Sequence, residues 1–266
     1  MPVWDQVVYH LPPMQGKLMT STKVLGTTCS LFEIPTGKKF WFESAVVEDD
    51  HVIRQIMGGN MFDNHVVEHL RNYIKPDSVV LDVGSNYGQM AMVFAEMAYD
   101  GTVHAFEVNP LVYECMNMTF AENGFTNIVA HADAVWHCSG ETLLLPPGKH
   151  QAIEKTAASW GVVTMDNNLG IDHAVTPIKV VSMKIDDLNL DRVDLMKFDI
   201  QGSDLYGMMG AVETIERCKP YIIFEFDSYF TRIYPDQILD SYLVFAESIG
   251  YKVISSVESN YLIGPA

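Results

Sequence analysis

From Val79 onward the sequence alternates short apolar runs with longer amphipathic segments, and this alternation constrains the fold more than any other feature. The runs SVVLDVG, GTVHAFEVNP, NIVAHADAVW, VDLMKFDI and KPYIIFEFD each read as one strand. Apolar residues at consecutive positions suit a strand buried on both faces. QMAMVFAEMA, LVYECMNMTFAENG and SDLYGMMGAVETIERC read as intervening helices, the second ending at Asn123-Gly124. SGETLLLPPG and PIKVVSMKI add short strands, with weak periodicity between 148 and 180. A helix, DQILDSYLVFAESIG, and two strands, YKVISSV and NYLIG, close the chain. Such alternation predicts a parallel sheet with helices on both faces.

The first 75 residues follow another rhythm. Residues 1 to 29 read as irregular, with LPPMQG as a breaker. SLFEIPTGKKFWFES predicts two strands around Thr36-Gly37. EDDHVIRQIM and FDNHVVEHLRNYI predict helices, with Phe62, Val66, Val67 and Leu70 on one stripe of the second. EDDH reads as a helix start on the surface rather than a ligand cluster. The expected organisation is an extension over 1–75 and an α/β domain over 76–266.

Composition bounds the partners. The chain has 266 residues, 48% of them hydrophobic, enough for a real core without staples. Its 34 acidic and 17 basic side chains give a net charge of −17, a field that opposes nucleic acid and anionic membrane. No stretch approaches the ~20 apolar residues of a membrane span. Asp5 and the lack of a basic opening argue against a secretory signal. Cys29, Cys115, Cys138 and Cys218 form no C-x-x-C pair and match no zinc spacing. These features predict a cytoplasmic protein with free thiols, acting on a small molecule. The 15 methionines leave room for an oligomer interface on a helix face.

In sheets of this class ligands sit beyond the carboxyl ends of the strands. The polar clusters fall there, after Leu81, Phe106, Ala132, Phe198 and Phe224. The first is VVLDVGSNYGQM, where Asp82, Gly84, Ser85, Asn86 and Gly88 join strand to helix. Glycines allow close backbone approach. The spacing G-x-x-x-G lacks the middle glycine of the dinucleotide pattern G-x-G-x-x-G. Asp82 would repel a diphosphate and attract an ammonium or sulfonium group, which speaks against a nicotinamide dinucleotide and for S-adenosylmethionine. Glu107 is placed to accept hydrogen bonds from two ribose hydroxyls. Asp133 could accept from an adenine amino group, with the backbone at Ala134 pairing with the ring edge. His131 and His137 flank it.

VVLDVGSNYG, VHAFEVNP, DAVWHCSGE, KIDDL and VDLMKFDIQGSDLYGMMGA follow one another as in FkbM-type methyltransferases, which this chain resembles from roughly Val79 to Asp227. The resemblance implies a class I, Rossmann-like α/β fold: a seven-stranded, mostly parallel sheet in the order 3-2-1-4-5-7-6, with helices on both faces. It implies S-adenosylmethionine as cofactor and a hydroxyl of a sugar, glycolipid or other small natural product as acceptor. Carried over by position, Asp82, Gly84, Asn86 and Gly88 hold the methionine part, Glu107 the ribose and Asp133 the adenine region, with Ser85, Val108 and Ala134 as further cofactor-binding candidates. Ser85 stands where the family usually has alanine. Gln201 stands where it often has glutamate, and Met209 where lysine is frequent. Without that glutamate, a non-catalytic cofactor-binding protein of this fold remains an alternative, as does N-methylation.

Methyl transfer needs alignment above all, and an alcohol nucleophile also gains from a base. Asp199 and Glu225 stand at the exits of the fourth and fifth strands. Lys197 shares the strand face of Asp199 and is expected to pair with it. Asp227 follows Glu225 at period two and is the weaker candidate. A metal bridged by Asp199 and Glu225 lacks a clear third ligand, so none is expected there. Trp41, Trp160, Tyr229, Phe230 and Tyr234 are candidates for apolar substrate walls.

Overall fold

The computed structural model describes residues 13–145, 162–164 and 177–266. It opens with an antiparallel sheet of β1 (Lys17–Val24), β2 (Thr27–Glu33) and β3 (Lys39–Glu43), in that order. The strand over 17–24 corrects the expectation of an irregular segment. Its sequence, KLMTSTKV, is exposed along almost its whole length, so it has no buried face to betray it. Backbone pairing to β2 holds it, through a two-residue turn at Leu25 and Gly26 with φ of 48° and 85°. Left-handed residues at both turn positions match the twist of the strands they join.

Two short helices follow, α1 (His51–Met57) and α2 (Asn64–Leu70). α1 starts where EDDH predicted a helix, with the Asp50 carboxylate accepting from the Ile53 N–H at 3.0 Å. Glu48 and Asp49 are exposed as expected, but the capping residue Asp50 is only 1% exposed, so the cap itself faces the interior. Phe40, Phe42, Ile53, Ile56, Val66 and Leu70 share one apolar cluster with residues of the α/β domain.

The domain then runs β4 (Val79–Val83), α3 (Gln89–Met97), β5 (Thr102–Phe106), α4 (Pro110–Glu122), β6 (Ile128–His131), β7 (Ala134–Val135), β8 (Thr142–Leu145), β9 (Val163–Thr164), β10 (Ile178–Met183) and β11 (Leu195–Phe198). It closes with α5 (Asp204–Met209), α6 (Val212–Cys218), β12 (Tyr221–Glu225), α7 (Leu239–Ser248), β13 (Tyr251–Val257) and β14 (Asn260–Pro265). The main sheet has the order β13-β14-β12-β11-β4-β5-β6. The five strands from β12 to β6 are parallel, and β14 is antiparallel to both neighbours.

Two predicted elements are divided. NIVAHADAVW is not one strand: β6 stays in the main sheet, the chain breaks at Ala132-Asp133, and β7 pairs with β10 in a second sheet, β7-β10-β8-β9. The predicted helix over 203–218 is two helices hinged at Gly210-Ala211. A Cβ on Gly210 would overlap the carbonyl oxygen of Trp136. The Gly210 carbonyl accepts from Asp186 N–H at 3.0 Å, and the Asp186 carboxylate accepts from the Thr214 N–H and hydroxyl at 2.8 Å each. These bonds tie the start of α6 to the 3₁₀ turn over 185–188 that follows β10. Gly210→Ala is predicted to lower stability by roughly 1–3 kcal/mol through overpacking. Urea denaturation checks this, and an unchanged midpoint would contradict the close approach.

Candidate functional site

The carboxyl ends of β4, β5, β11 and β12 converge on a cavity of about 210 Å³. β4 enters it through the glycine loop. Gly84 has φ of 85°, and a Cβ there would overlap the backbone carbonyl of Asp199, so glycine lets the exits of β4 and β11 touch. The N–H groups of Gly84 and Ser85 both donate to the Phe106 carbonyl, at 3.0 and 2.8 Å, which ties the loop to β5. Asn86 is left-handed, and its side-chain oxygen accepts from Tyr87 N–H at 2.7 Å. Gly88 turns its Cα toward Phe120 and Met116 of α4. Gly84, Ser85 and Asn86 therefore line the cavity, whereas Gly88 seats the loop on α4.

Asp82 lies under the loop, 0% exposed and outside the lining. β11 sets Lys197 opposite it, and the ammonium lies 3.2 Å from Asp82 Oδ1 and 3.5 Å from Asp199 Oδ2. The expected Lys197–Asp199 pair is therefore shared with a second carboxylate. Burial works against the Lys197 charge, but Asp82 and Asp199 outweigh it and hold its pKa above the ordinary lysine value. Burial likewise raises the Asp82 carboxyl, against the pull of Lys197.

Glu107 leaves β5 buried, at 7% exposure. Its two oxygens accept from the N–H groups of Asn86 at 3.0 Å and Asn109 at 2.8 Å. Burial nonetheless pushes its pKa to about 7. Val108 follows it into the lining, and Asp133 and Ala134 enter from the break after β6. Burial raises the Asp133 carboxyl as well.

At the other end Asp199 accepts from the Gln201 side-chain amide at 3.0 Å. Glu225 accepts from the Ser259 hydroxyl at 3.1 Å. Burial, then Asp199, Asp204 and Asp63, push the Glu225 pKa to about 9. Asp204, behind the lining, accepts from the Ile200 and Gly202 N–H groups, yet burial raises it to about 7. Asp227 stands apart, accepting from Tyr229 N–H at 2.8 Å at the start of a 3₁₀ turn.

Sequence reasoning missed the contribution of the N-terminal segment. Asp63 lines the cavity in a left-handed conformation, φ 51°, and makes no side-chain cap on α2. Burial, then Asp199, raise its pKa to about 6. Gln89, at the start of α3, fastens this segment over the loop: its side chain accepts from Phe62 N–H at 2.9 Å and donates to the Asn60 carbonyl at 2.8 Å. This segment contributes Val52, Ile56, Met61 and Phe62 to the apolar part of the lining. Trp41, Tyr229, Phe230 and Tyr234 are not in the lining, and Trp160 falls outside the described residues. A left-handed aspartate before a short helix leaves no pattern in sequence that would mark it as a site residue. His131 pairs with His104 at 3.0 Å and stacks on Phe106. Among the described residues the lining carries five carboxylates (Asp63, Glu107, Asp133, Asp199 and Glu225) and a single basic side chain, Lys197.

A family model, the Methyltransferase FkbM domain, matches residues 82–253, more than half of the chain. The chain belongs to this family. A search of curated proteins finds no match. Among solved structures it is similar to an FkbM methyltransferase from Methylobacillus flagellatus KT, at 16% identity and a TM-score of 0.45 over 71% of this chain. The match spans 44% of that protein's length, so this FkbM chain corresponds to under half of it. A putative caffeoyl-CoA O-methyltransferase from Staphylococcus aureus is 12% identical, with a TM-score of 0.48 over 77% of this chain and 84% of that one. A methyltransferase from Aquifex aeolicus is 13% identical, with a TM-score of 0.44 over 84% and 98%. No helix of the described residues in this family member is long and apolar enough to cross a membrane.

Two predictions follow from the charges of the site. Lys197→Ala leaves Asp82 buried without its cation and is predicted to cost about 3–5 kcal/mol in urea denaturation. A loss below 1 kcal/mol would contradict the pairing. Asp63, Glu107, Asp204 and Glu225 all hold their protons more tightly folded than unfolded. Their contribution to stability is complete below the unfolded-chain values near pH 4, and it is lost as pH rises through about 6, 7 and 9. The ligand-free protein is therefore predicted to be less stable at pH 9 than at pH 5.5, and Glu225→Gln to reduce that difference. A denaturation midpoint that rises over this range would refute the assignment.

Proposed function

We propose that this chain is an S-adenosylmethionine-dependent methyltransferase that acts on a hydroxyl group of a sugar, glycolipid or other small molecule. The observation that carries this reading is Glu107. It is a buried carboxylate that lines the cavity at the exit of β5, with its two oxygens oriented by backbone N–H groups and its proton affinity raised by burial. Each oxygen keeps a second lone pair beyond its backbone partner, and vicinal ribose hydroxyls are donors of the right spacing to use both. The excess of carboxylates over one lysine favours a ligand carrying sulfonium and ammonium charge and disfavours a diphosphate.

In this reading Gly84, Ser85 and Asn86 hold the methionine part by backbone approach, and Asp82 acts from below by fixing Lys197. Glu107 and Val108 hold the ribose, and Asp133 and Ala134 the adenine region. When bound, the cofactor supplies a methyl group on a positively charged sulfur, a leaving group that needs no acid. The chain's remaining task is to align the acceptor oxygen, within about 3–3.5 Å of the reacting carbon. Asp199 is the group for this. Lys197 and Gln201 fix its two oxygens, so it can accept the acceptor's hydroxyl hydrogen in one orientation. Burial and the neighbouring carboxylates favour the protonated form of Glu225, which suits it to donate to the acceptor and leaves Asp199 as the base. Gln201 also has a physical logic: a glutamate there would set a second carboxylate against Asp199 at hydrogen-bond distance. Residues 1–75 supply the acceptor wall through Ile56, Met61, Phe62 and Asp63, over the cofactor domain of 76–266.

Isothermal titration tests the cofactor assignment. S-adenosylmethionine is predicted to bind, with Glu107→Ala weakening it more than about tenfold through loss of charge-assisted contacts. Tight binding of NAD with none of S-adenosylmethionine would overturn the reading. Asp199→Asn is predicted to leave cofactor affinity within about threefold and to lower S-adenosylhomocysteine release from a productive acceptor by about 10²–10⁴-fold.

A further inference from the structure

We propose that the turn after β7 is a zinc-class metal site formed by His137, Cys138 and Glu141, with its fourth position open to water. It lies outside the methyl-transfer cavity, and the proposal does not depend on that assignment. The cysteine spacing gave no zinc pattern because the donors come from three residue types within five positions. In the fold, one donor atom from each lies within 4.8 Å of the others, and Cys138 Sγ is 3.2 Å from Glu141 Oε2. Tetrahedral zinc with Zn–S of about 2.3 Å and Zn–N and Zn–O of about 2.0–2.2 Å sets its donors roughly 3.3–3.6 Å apart. Cys138 Sγ and Glu141 Oε2 already stand near that spacing, and the widest pair would close by at most roughly 1.5 Å around a cation.

The turn is held ready by β10. Ser182 donates from its hydroxyl to the Cys138 carbonyl at 2.7 Å, and the same oxygen accepts from Glu141 N–H at 3.0 Å. Gly140 N–H donates to the Ser182 carbonyl at 3.0 Å, and Ser182 N–H to the Glu141 carbonyl at 2.9 Å. Lys184 N–H donates to the Ser139 hydroxyl at 2.8 Å. The ligands therefore need little ordering on binding, and the exposed His137 ring leaves an entry path.

The donor set selects the metal class. One imidazole nitrogen, one thiolate and one carboxylate suit zinc or cobalt(II), and a purely hard cation such as magnesium would shun the sulfur. In the ligand-free state the Cys138 thiol donates its hydrogen to Glu141, so a proton occupies the place of the cation. On binding, the S–H bond breaks, a metal–sulfur bond forms, and the proton leaves to solvent with no change of oxidation state.

Cobalt(II) titration of the full-length protein, stripped with a chelator, tests the site. The expected result is a near-ultraviolet sulfur-to-cobalt absorption that saturates at one equivalent and is displaced by zinc. It should be lost in Cys138→Ser and kept in Cys218→Ser. His137→Ala and Glu141→Gln are each expected to weaken zinc binding by more than about tenfold. In the unmutated protein, zinc should protect Cys138 but not Cys218 from iodoacetamide, read by peptide mass mapping. No absorption, or an absorption retained in Cys138→Ser, would overturn the proposal, as would equal alkylation of Cys138 with and without zinc.

Discussion

The buried pair of Asp82 and Lys197 is the interaction on which the site depends. Both residues sit on central strands, both are almost fully buried, and the register of β4 against β11 sets them opposite each other. Asp82 could not stay charged there alone, because it would lack both water and a partner, whereas Lys197 is also paired with Asp199. Together Asp82 and Lys197 fix the point where the glycine loop leaves β4 and where Asp199 leaves β11. The Lys197 ammonium also lies 3.5 Å from the Gly84 carbonyl, so one side chain touches the loop, the buried acid and Asp199. Asp82 thus acts on the cavity through Lys197, from beneath it.

Above this pair the site is an arrangement of excess negative charge. Glu107, Asp63, Asp199 and Glu225 are drawn together by four different elements, and burial raises three of them against their ordinary values. Such crowding destabilises the ligand-free fold as pH rises, and a cationic ligand would relieve it. Stability and ligand choice are therefore two consequences of one electrostatic arrangement. The N-terminal segment takes part, since Gln89 fastens residues 60–62 over the loop and brings Asp63 to the cavity.

The elements most legible in sequence are those with a buried face. SVVLDVG, VDLMKFDI and KPYIIFEFD lie in the centre of the sheet, where continuous apolar character is unambiguous. β1 was illegible because it buries almost nothing and is held by backbone pairing and a left-handed turn. The division of NIVAHADAVW and the hinge at Gly210 both arise from the second sheet, a long-range arrangement that local periodicity does not encode. At the site, Gly84, Ser85, Asn86, Glu107, Asp133, Asp199 and Glu225 could be picked from their strand exits, and the structure brings them to one cavity. Asp63 and Gln89 could not, because they reach it by side-chain contacts across the chain. Trp41, Tyr229, Phe230 and Tyr234 lie outside the lining, and Val52, Ile56, Met61 and Phe62 of the extension stand there instead.

The central claim is that the cavity at the carboxyl ends of β4, β5 and β11 takes S-adenosylmethionine with Glu107 on its ribose. A crystal structure of the protein with S-adenosylhomocysteine tests it most directly. Both ribose hydroxyls are expected within hydrogen-bond distance of Glu107, and the sulfur at the Asp199 end of the cavity. A ligand bound elsewhere, or one whose ribose leaves Glu107 bonded only to the Asn86 and Asn109 backbone, would contradict it.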